Sequence, residues 1–147
     1  MTPELIADKL ELTELANKLY MYCDAKQWDK MLAEVFTPVI WFDASSAGAG
    51  EPRSVEAKEV CKMWEEGLGG LDAIHHQAGH YLITVEENKA DIFGYGVASH
   101  YKKAATKGNT RTFVGSYDLK AERSAEGWRL SQFKFNLKYM EGNINLE

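Results

Sequence analysis

Three of the four histidines stand in one stretch, Ile74-His75-His76-Gln77-Ala78-Gly79-His80-Tyr81-Leu82-Ile83-Thr84-Val85, and the fourth, His100, closes the next run, Ala90 to Tyr101. Imidazole both takes and gives a proton near neutral pH, so two rings reaching one substrate could do acid/base chemistry. Both runs read as strands, rich in β-branched and aromatic residues. Side chains alternate along an extended backbone, so residues 76, 78, 80, 82 and 84 face one way and 75, 77, 79, 81, 83 and 85 the other. Glu87-Asn88-Lys89 is a polar break of hairpin length. A three-residue loop with Glu86 opposite Ala90 sets His76 directly across from His100, with Cβ atoms about 4.5–5.5 Å apart. Ala78, Gly94, Gly96 and Ala98 share that face and leave room above it for a ligand or a tightly packed helix. A change of one residue in the loop would undo the pairing.

These histidines do not make a metal site. His76 and His80 lie about 13 Å apart along a strand, too far for one zinc. His75 points to the opposite face, and no Cys-x-x-Cys or His-Glu-x-x-His accompanies the cluster. His75 and His80 read as ordinary core or surface residues. Gly94-Tyr95-Gly96 lacks the third glycine and following helix of a dinucleotide loop, and no Gly-x-Ser-x-Gly or Walker pattern occurs. The reading left is chemistry without cofactor or metal.

Two carboxylates could join the histidines. Asp24 falls at the C-terminal end of an amphipathic helix, where the backbone dipole disfavours a negative charge. It stands between aromatic residues in Tyr22-Cys23-Asp24-Ala25-Lys26-Gln27-Trp28-Asp29; a solvated loop position is the alternative. Asp118 lies in Thr112 to Glu122, which pairs with Trp128 to Tyr139 across Ser124-Ala125-Glu126-Gly127. A four-residue loop sets Ser116 opposite Phe135, Asp118 opposite Phe133 and Val114 opposite Leu137. Polar side chains on an apolar, aromatic face make a pocket wall, unless Asp118 faces solvent. Trp41, on the strand Val39-Ile40-Trp41-Phe42, is counted with Ser116, Asp118, Phe133 and Phe135 among the substrate-contacting residues.

Positioning these groups falls to a helical first third. Thr2 caps with Pro3 at the first helical position, and Leu5, Leu12, Leu15, Leu19 and Tyr22 keep one apolar stripe, which Thr13 could divide. Trp28 to Val35 is a further short helix before Thr37-Pro38. Ala44 to Pro52 is small and glycine-rich, a surface loop or a mobile lid. Ser54 caps the next helix, with Val55, Val60, Met63, Trp64 and Leu68 on its apolar side and Gly67, Gly69 and Gly70 at its end. Helices first and long antiparallel strands afterwards describe an α+β domain in which helices cover one face of a curved sheet.

With 147 residues, 45% hydrophobic and 12% aromatic, the chain suits one domain over 1–147. A net charge of −5 argues against nucleic-acid or anionic-membrane partners. Lys102, Lys103, Lys107 and Arg111 read as a solvated basic loop. There is no membrane-length apolar run or secretion signal, and Cys23 and Cys61 are unpaired in spacing. A soluble, cytoplasmic protein is expected.

In its order of motifs the chain resembles the SnoaL-like branch of the nuclear transport factor 2-like superfamily, scytalone dehydratases in particular. The motifs are the helix closing at Asp24-Ala25-Lys26-Gln27-Trp28-Asp29, the strand ending at Asp43, the His75-His76 strand start, Val97-Ala98-Ser99-His100 and Ser116-Tyr117-Asp118-Leu119. The resemblance implies a cone-shaped α+β barrel with an internal site. It matches Asp24 to the catalytic aspartate and His76 and His100 to the two histidines. Ser116 matches a pocket serine, and Asp118 falls where the dehydratases have asparagine. The tyrosines that position a water on the substrate carbonyl there fall at Cys23 and Ala44 here, which implies related chemistry on another molecule.

The function expected is therefore a cofactor-independent dehydratase-type lyase or isomerase on a small, cyclic or polyketide-like compound, with Asp24 orienting one imidazole. The alternative is a non-catalytic ligand-binding or assembly module of the same fold. An epoxide hydrolase is a third reading, weakened by the absence of a matching Arg and Asp pair. A homodimer is expected through the hairpin's outer face, where Tyr81, Ile83, Val85, Phe93, Tyr95, Val97 and Tyr101 form a broad apolar patch.

Overall fold

The apolar stripe of the first third forms one unbroken helix. In the computed structural model, which describes residues 1–147, α1 (Pro3–Asp24) begins at Thr2, whose hydroxyl accepts from the Leu5 N–H at 3.1 Å. Thr13 does not divide it, because its hydroxyl turns back onto the Lys9 carbonyl at 2.7 Å and leaves the helix ladder intact. At the far end Lys26 takes a left-handed φ of 54°. The Gln27 N–H bonds the Tyr22 carbonyl at 2.8 Å and the Lys26 N–H that of Cys23 at 3.0 Å. This reversal stops the helix sharply and leaves Asp24 on its last turn.

After α2 (Trp28–Glu34) come β1 (Phe36–Asp43), β2 (Arg53–Glu56), α3 (Ala57–Leu68), β3 (Ala73–Glu86), β4 (Lys89–Tyr101), β5 (Thr110–Ser124) and β6 (Gly127–Gly142). The six strands form one unclosed sheet in the order β2-β1-β6-β5-β4-β3. The architecture is α+β, with one departure from a purely antiparallel sheet: β1 runs parallel to β6. Ser54 is not a helix cap. It lies in β2, paired with Trp41, and α3 starts three residues later without a side-chain cap. The stretch after β1 is anchored, since the Ser46 hydroxyl donates to the Phe135 carbonyl and accepts from the Leu137 N–H, each at 2.9 Å.

The β3–β4 hairpin differs from the sequence expectation in two ways. Its turn is Glu87-Asn88 alone, with Glu86 paired to Lys89, and β3 carries a bulge between Gly79 and Leu82, where His80 has φ 56°. His76 therefore faces Ala98, and His100 faces Ile74. Because the offset is two residues, both side chains stay on one face as diagonal neighbours, whose attachment points lie about 7–8 Å apart rather than 4.5–5.5 Å. Beyond the bulge the parity reverses. Tyr81, Ile83 and Val85 turn inward against the core, and Leu82 is 73% exposed.

The β5–β6 pair starts in the expected register, with Arg123 opposite Trp128, but Ser131 is an extra residue that shifts the pairing, and a second shift between Gly115 and Val114 sets Val114 opposite Tyr139 instead of Leu137. Ser116 then faces Asn136 and Asp118 faces Lys134, while Tyr117 and Leu119 face Phe135 and Phe133. The core beneath α1 is filled by Leu12, Met31, Val35, Ile40, Ile92, Leu119 and Leu130. Near the start of α1 a buried carboxylate fastens the structure: Asp8 takes both Arg123 Nη atoms, at 2.6 and 2.9 Å, and the Trp128 indole N–H at 3.2 Å. Arg123 and Trp128 hold the Asp8 carboxyl below its ordinary pKa.

Candidate active site

Near the other end of α1 the core does not close. A cavity of about 190 Å³ is bounded by Leu19, Tyr20 and Cys23 of α1, Ala44 after β1, Trp64 and Leu68 of α3, His76, Ala98 and His100 of the hairpin, Phe113 and Tyr117 of β5, and Phe133 and Phe135 of β6. It is somewhat larger than the roughly 150 Å³ apolar cavity that takes up benzene in an engineered protein, so one or two rings would fill it. The glycines of the inner face do not supply this space. The Tyr117 ring lies where a Cβ of Gly96 would be, and the Tyr81 ring does the same at Gly94.

Asp24 reaches the cavity through His76. Its Oδ1 accepts from His76 Nδ1 at 2.6 Å and its Oδ2 from the His76 backbone N–H at 3.0 Å. Both carboxylate oxygens thus orient one residue, and a carboxylate on Nδ1 fixes that nitrogen's proton and leaves Nε2 with its lone pair. The Tyr20 ring packs beside the imidazole at 5.5 Å and on Tyr117 at 5.1 Å, holding both rings in place.

His100 has a different partner. It is 8% exposed, and its Nδ1 accepts from Arg111 Nε at 3.0 Å. Burial, then the charge of Arg111, then His76 push its pKa down to about 4, against a smaller pull from Asp24. Arg111 is thus no part of a solvated loop: it stands on β5 directly opposite His100. Its sequence neighbours Asn109 and Thr110 mask this, because only the strand pairing reveals it.

Asp24, His76, His100, Phe133 and Phe135 meet around one cavity. Three other expected residues do not. Trp41 is 45% exposed while its neighbour Phe42 is buried, since β1 turns the even-numbered position inward there. Ser116 and Asp118 stand on the sheet face away from the cavity and share the Asn136 side-chain amide, at 3.2 and 2.7 Å. The Ser131 shift exchanges them for Tyr117. Sequence reasoning missed Leu19, Tyr20, Trp64, Leu68, Phe113 and Tyr117; only Leu19, Trp64 and Leu68 carried a signal, as members of apolar helix stripes. Cys23 and Ala44, where the dehydratase tyrosines would stand, do line the cavity. Burial pushes the Cys23 thiol up to about 12, which leaves it protonated and unreactive.

A family profile described as the SnoaL-like domain matches residues 4–134. Among solved structures, a protein of Kribbella flavida superposes with a TM-score of 0.92 at 28% identity, over 97% of this chain and 97% of that one. A candidate scytalone dehydratase of Novosphingobium aromaticivorans superposes with a TM-score of 0.81 at 13% identity, over 96% and 91%. The hexachlorocyclohexane dehydrochlorinase LinA-type3 of Novosphingobium barchaimii gives 0.75 at 14%, over 93% and 90%. The last two likenesses concern the fold alone. No curated protein matches the chain. By its sequence profile and its fold, this chain belongs to the SnoaL-like family.

Proposed function

We propose that the protein is a lyase of the dehydratase type, or an isomerase, that removes a proton from a small cyclic carbonyl compound with His76 as base. The observation that carries this reading is the 2.6 Å contact of Asp24 with His76 Nδ1, beside an apolar cavity that no side chain fills. Asp24 presents the Nε2 lone pair and stabilises the imidazolium that forms. In a β-hydroxy ketone the electrons of the broken C–H bond become an enolate. Loss of hydroxide then forms the C=C bond, and the charged His76 returns its proton to the leaving oxygen as water. Returning that proton to a different carbon instead gives isomerisation. His100 is the second imidazole at the cavity and stands beside the reacting carbonyl. Structural neighbours named as a scytalone dehydratase and a dehydrochlorinase show that the fold is found in proteins named for eliminations. An aromatic-filled interior would have favoured the scaffold alternative.

The test is 3-hydroxy-1-tetralone, whose loss of water gives fluorescent 1-naphthol, together with hydrogen–deuterium exchange at the α-carbon of 2-tetralone in D₂O. Wild-type protein should accelerate at least one of these and Asp24→Asn neither. Equal rates with both proteins would remove the dyad from catalysis.

The same reading extends to assembly and setting. Phe93, Tyr95, Val97, Tyr101 and Tyr139 share the outer sheet face, most of them well exposed, and a homodimer would cover them. Tyr81, Ile83 and Val85 are excluded from that face because they point inward. Light scattering should give twice the chain mass. No helix is long and apolar enough to cross a membrane, and two free, buried thiols suit a reducing, cytoplasmic setting.

A further inference from the structure

Arg111 is held at three points. Its Nε donates to His100 Nδ1 at 3.0 Å, its Nη1 donates to the Ile144 carbonyl at 3.0 Å, and its guanidinium lies 5.6 Å from the centre of the Phe113 ring. A guanidinium offers only donors and does not give up its proton, so His100 Nδ1 must be the acceptor. A neutral imidazole that accepts at Nδ1 carries its proton on Nε2. That nitrogen has no protein partner, and the ring lines the cavity. We infer that Arg111 is a positioning residue that locks His100 as a neutral Nε2–H donor into the cavity, restricting the site to ligands that present an oxygen acceptor able to gain negative charge there.

The surroundings of His100 agree. The charged or titratable groups facing it are Arg111 on β5, His76 on β3 and Asp24 at the end of α1. Burial and two of these three neighbours disfavour an imidazolium, so the ring stays neutral. The guanidinium behind it polarises the Nε2–H bond, and in a dry cavity such a fixed donor stabilises a developing oxyanion strongly. Cys23 and Ala44 stand where the dehydratase phenols would, and the fixed Nε2–H of His100 is the donor directed at the carbonyl. The ligand class is then a one- or two-ring ketone whose enolate or phenolate oxygen meets His100 while an acidic C–H meets His76. The ligand half of this inference rests on the proposed role of His76; the tautomer half does not.

Long-range ¹H–¹⁵N NMR reads the tautomer directly. Wild-type His100 should show a bare Nδ1 and a protonated Nε2 from pH 8 down to pH 5.5. Arg111→Met keeps an apolar stem and removes the donors and the charge. It should give a mixture of tautomers and raise the His100 titration midpoint by about one pH unit, because a like charge has been removed. The binding probes are 4-nitrophenol and 4-nitrotoluene, similar in shape. Wild type should prefer the phenol by about tenfold, the usual worth of a hydrogen bond to a charged or polar acceptor. Arg111→Met should lose most of that preference without weakening 4-nitrotoluene. Should Arg111→Met not fold, Arg111→Lys, with one flexible donor in place of a fork, should mix the tautomers in the same sense. Wild-type His100 found as Nδ1–H or as imidazolium at pH 6, or an unchanged tautomer in the variant, would overturn the inference. Asp24→Asn separates the two ideas: it should leave the His100 tautomer as Nε2–H, and failure to slow tetralone chemistry would remove the dyad while leaving the Arg111 lock standing.

Discussion

His76 and His100 are diagonal neighbours on one face of one hairpin, yet their environments give them opposite chemistry. The Nδ1 of His76 meets a carboxylate and that of His100 a guanidinium. The first partner accepts a proton and leaves a lone pair on Nε2; the second donates one and leaves an N–H there. The same side chain on the same strand pair is thus a base in one position and a donor in the other. A histidine's role is set by what touches its second nitrogen, and in both cases that partner comes from outside the β3–β4 hairpin.

The largest break of this contrast is Asp24→Asn. An asparagine amide facing His76 Nδ1 would donate to it and move the proton to Nε2, giving His76 the tautomer of His100. Turnover should fall by roughly 10³–10⁴-fold, as when the orienting carboxylate of a triad is neutralised. The fold should persist with little change in stability, since a lost charge-assisted bond is offset by removing a negative charge from a helix C-terminus. Rate measurements and thermal melts check the two halves.

Next comes His100→Gln, which removes the donor without touching the dyad. The rate should fall by roughly 10²–10³, the usual effect of losing one oxyanion donor, and His76 should keep its Nδ1–H tautomer, held by Asp24.

The same variant sharpens a pH contrast. Folding holds His100 down at about 4 against an ordinary value of about 6.5. Below pH 6.5 the unfolded chain therefore takes up a proton that the folded chain refuses. Stability present above that pH is lost as the pH falls toward 4, by about 2 kcal/mol between pH 7.5 and pH 5. Urea titrations of wild type should show this loss and those of His100→Gln should flatten it over the same window.

The smallest effect is expected outside the cavity. Trp41→Thr keeps a strand-favouring residue on an exposed position and should leave turnover within about twofold and stability within about 1 kcal/mol. A larger loss of activity would place Trp41 back at the site.

The sequence by itself determined the α+β order of elements, the amphipathic helix that ends at Asp24, and the gathering of histidines on a hairpin. Those features are written in local periodicity and in turn and cap residues, which act over a few positions. Phe133 and Phe135 were also legible, because they begin an alternating apolar run with Leu137 along β6. Tertiary structure decided which residues share the cavity. A bulge at His80 and an extra residue at Ser131 each reverse the parity of the strand that follows, in β6 as far as Leu137. They carried Tyr81, Ile83 and Val85 inward and exchanged Ser116 and Asp118 for Tyr117. His76 and His100 kept a common face only because the shorter turn and the bulge offset their pairing by an even number. The partners that make one ring a base and the other a donor lie far along the chain for Asp24 and across a strand pairing for Arg111. Only packing brings a carboxylate at a helix end, or a guanidinium on the neighbouring strand, within hydrogen-bond distance of an imidazole.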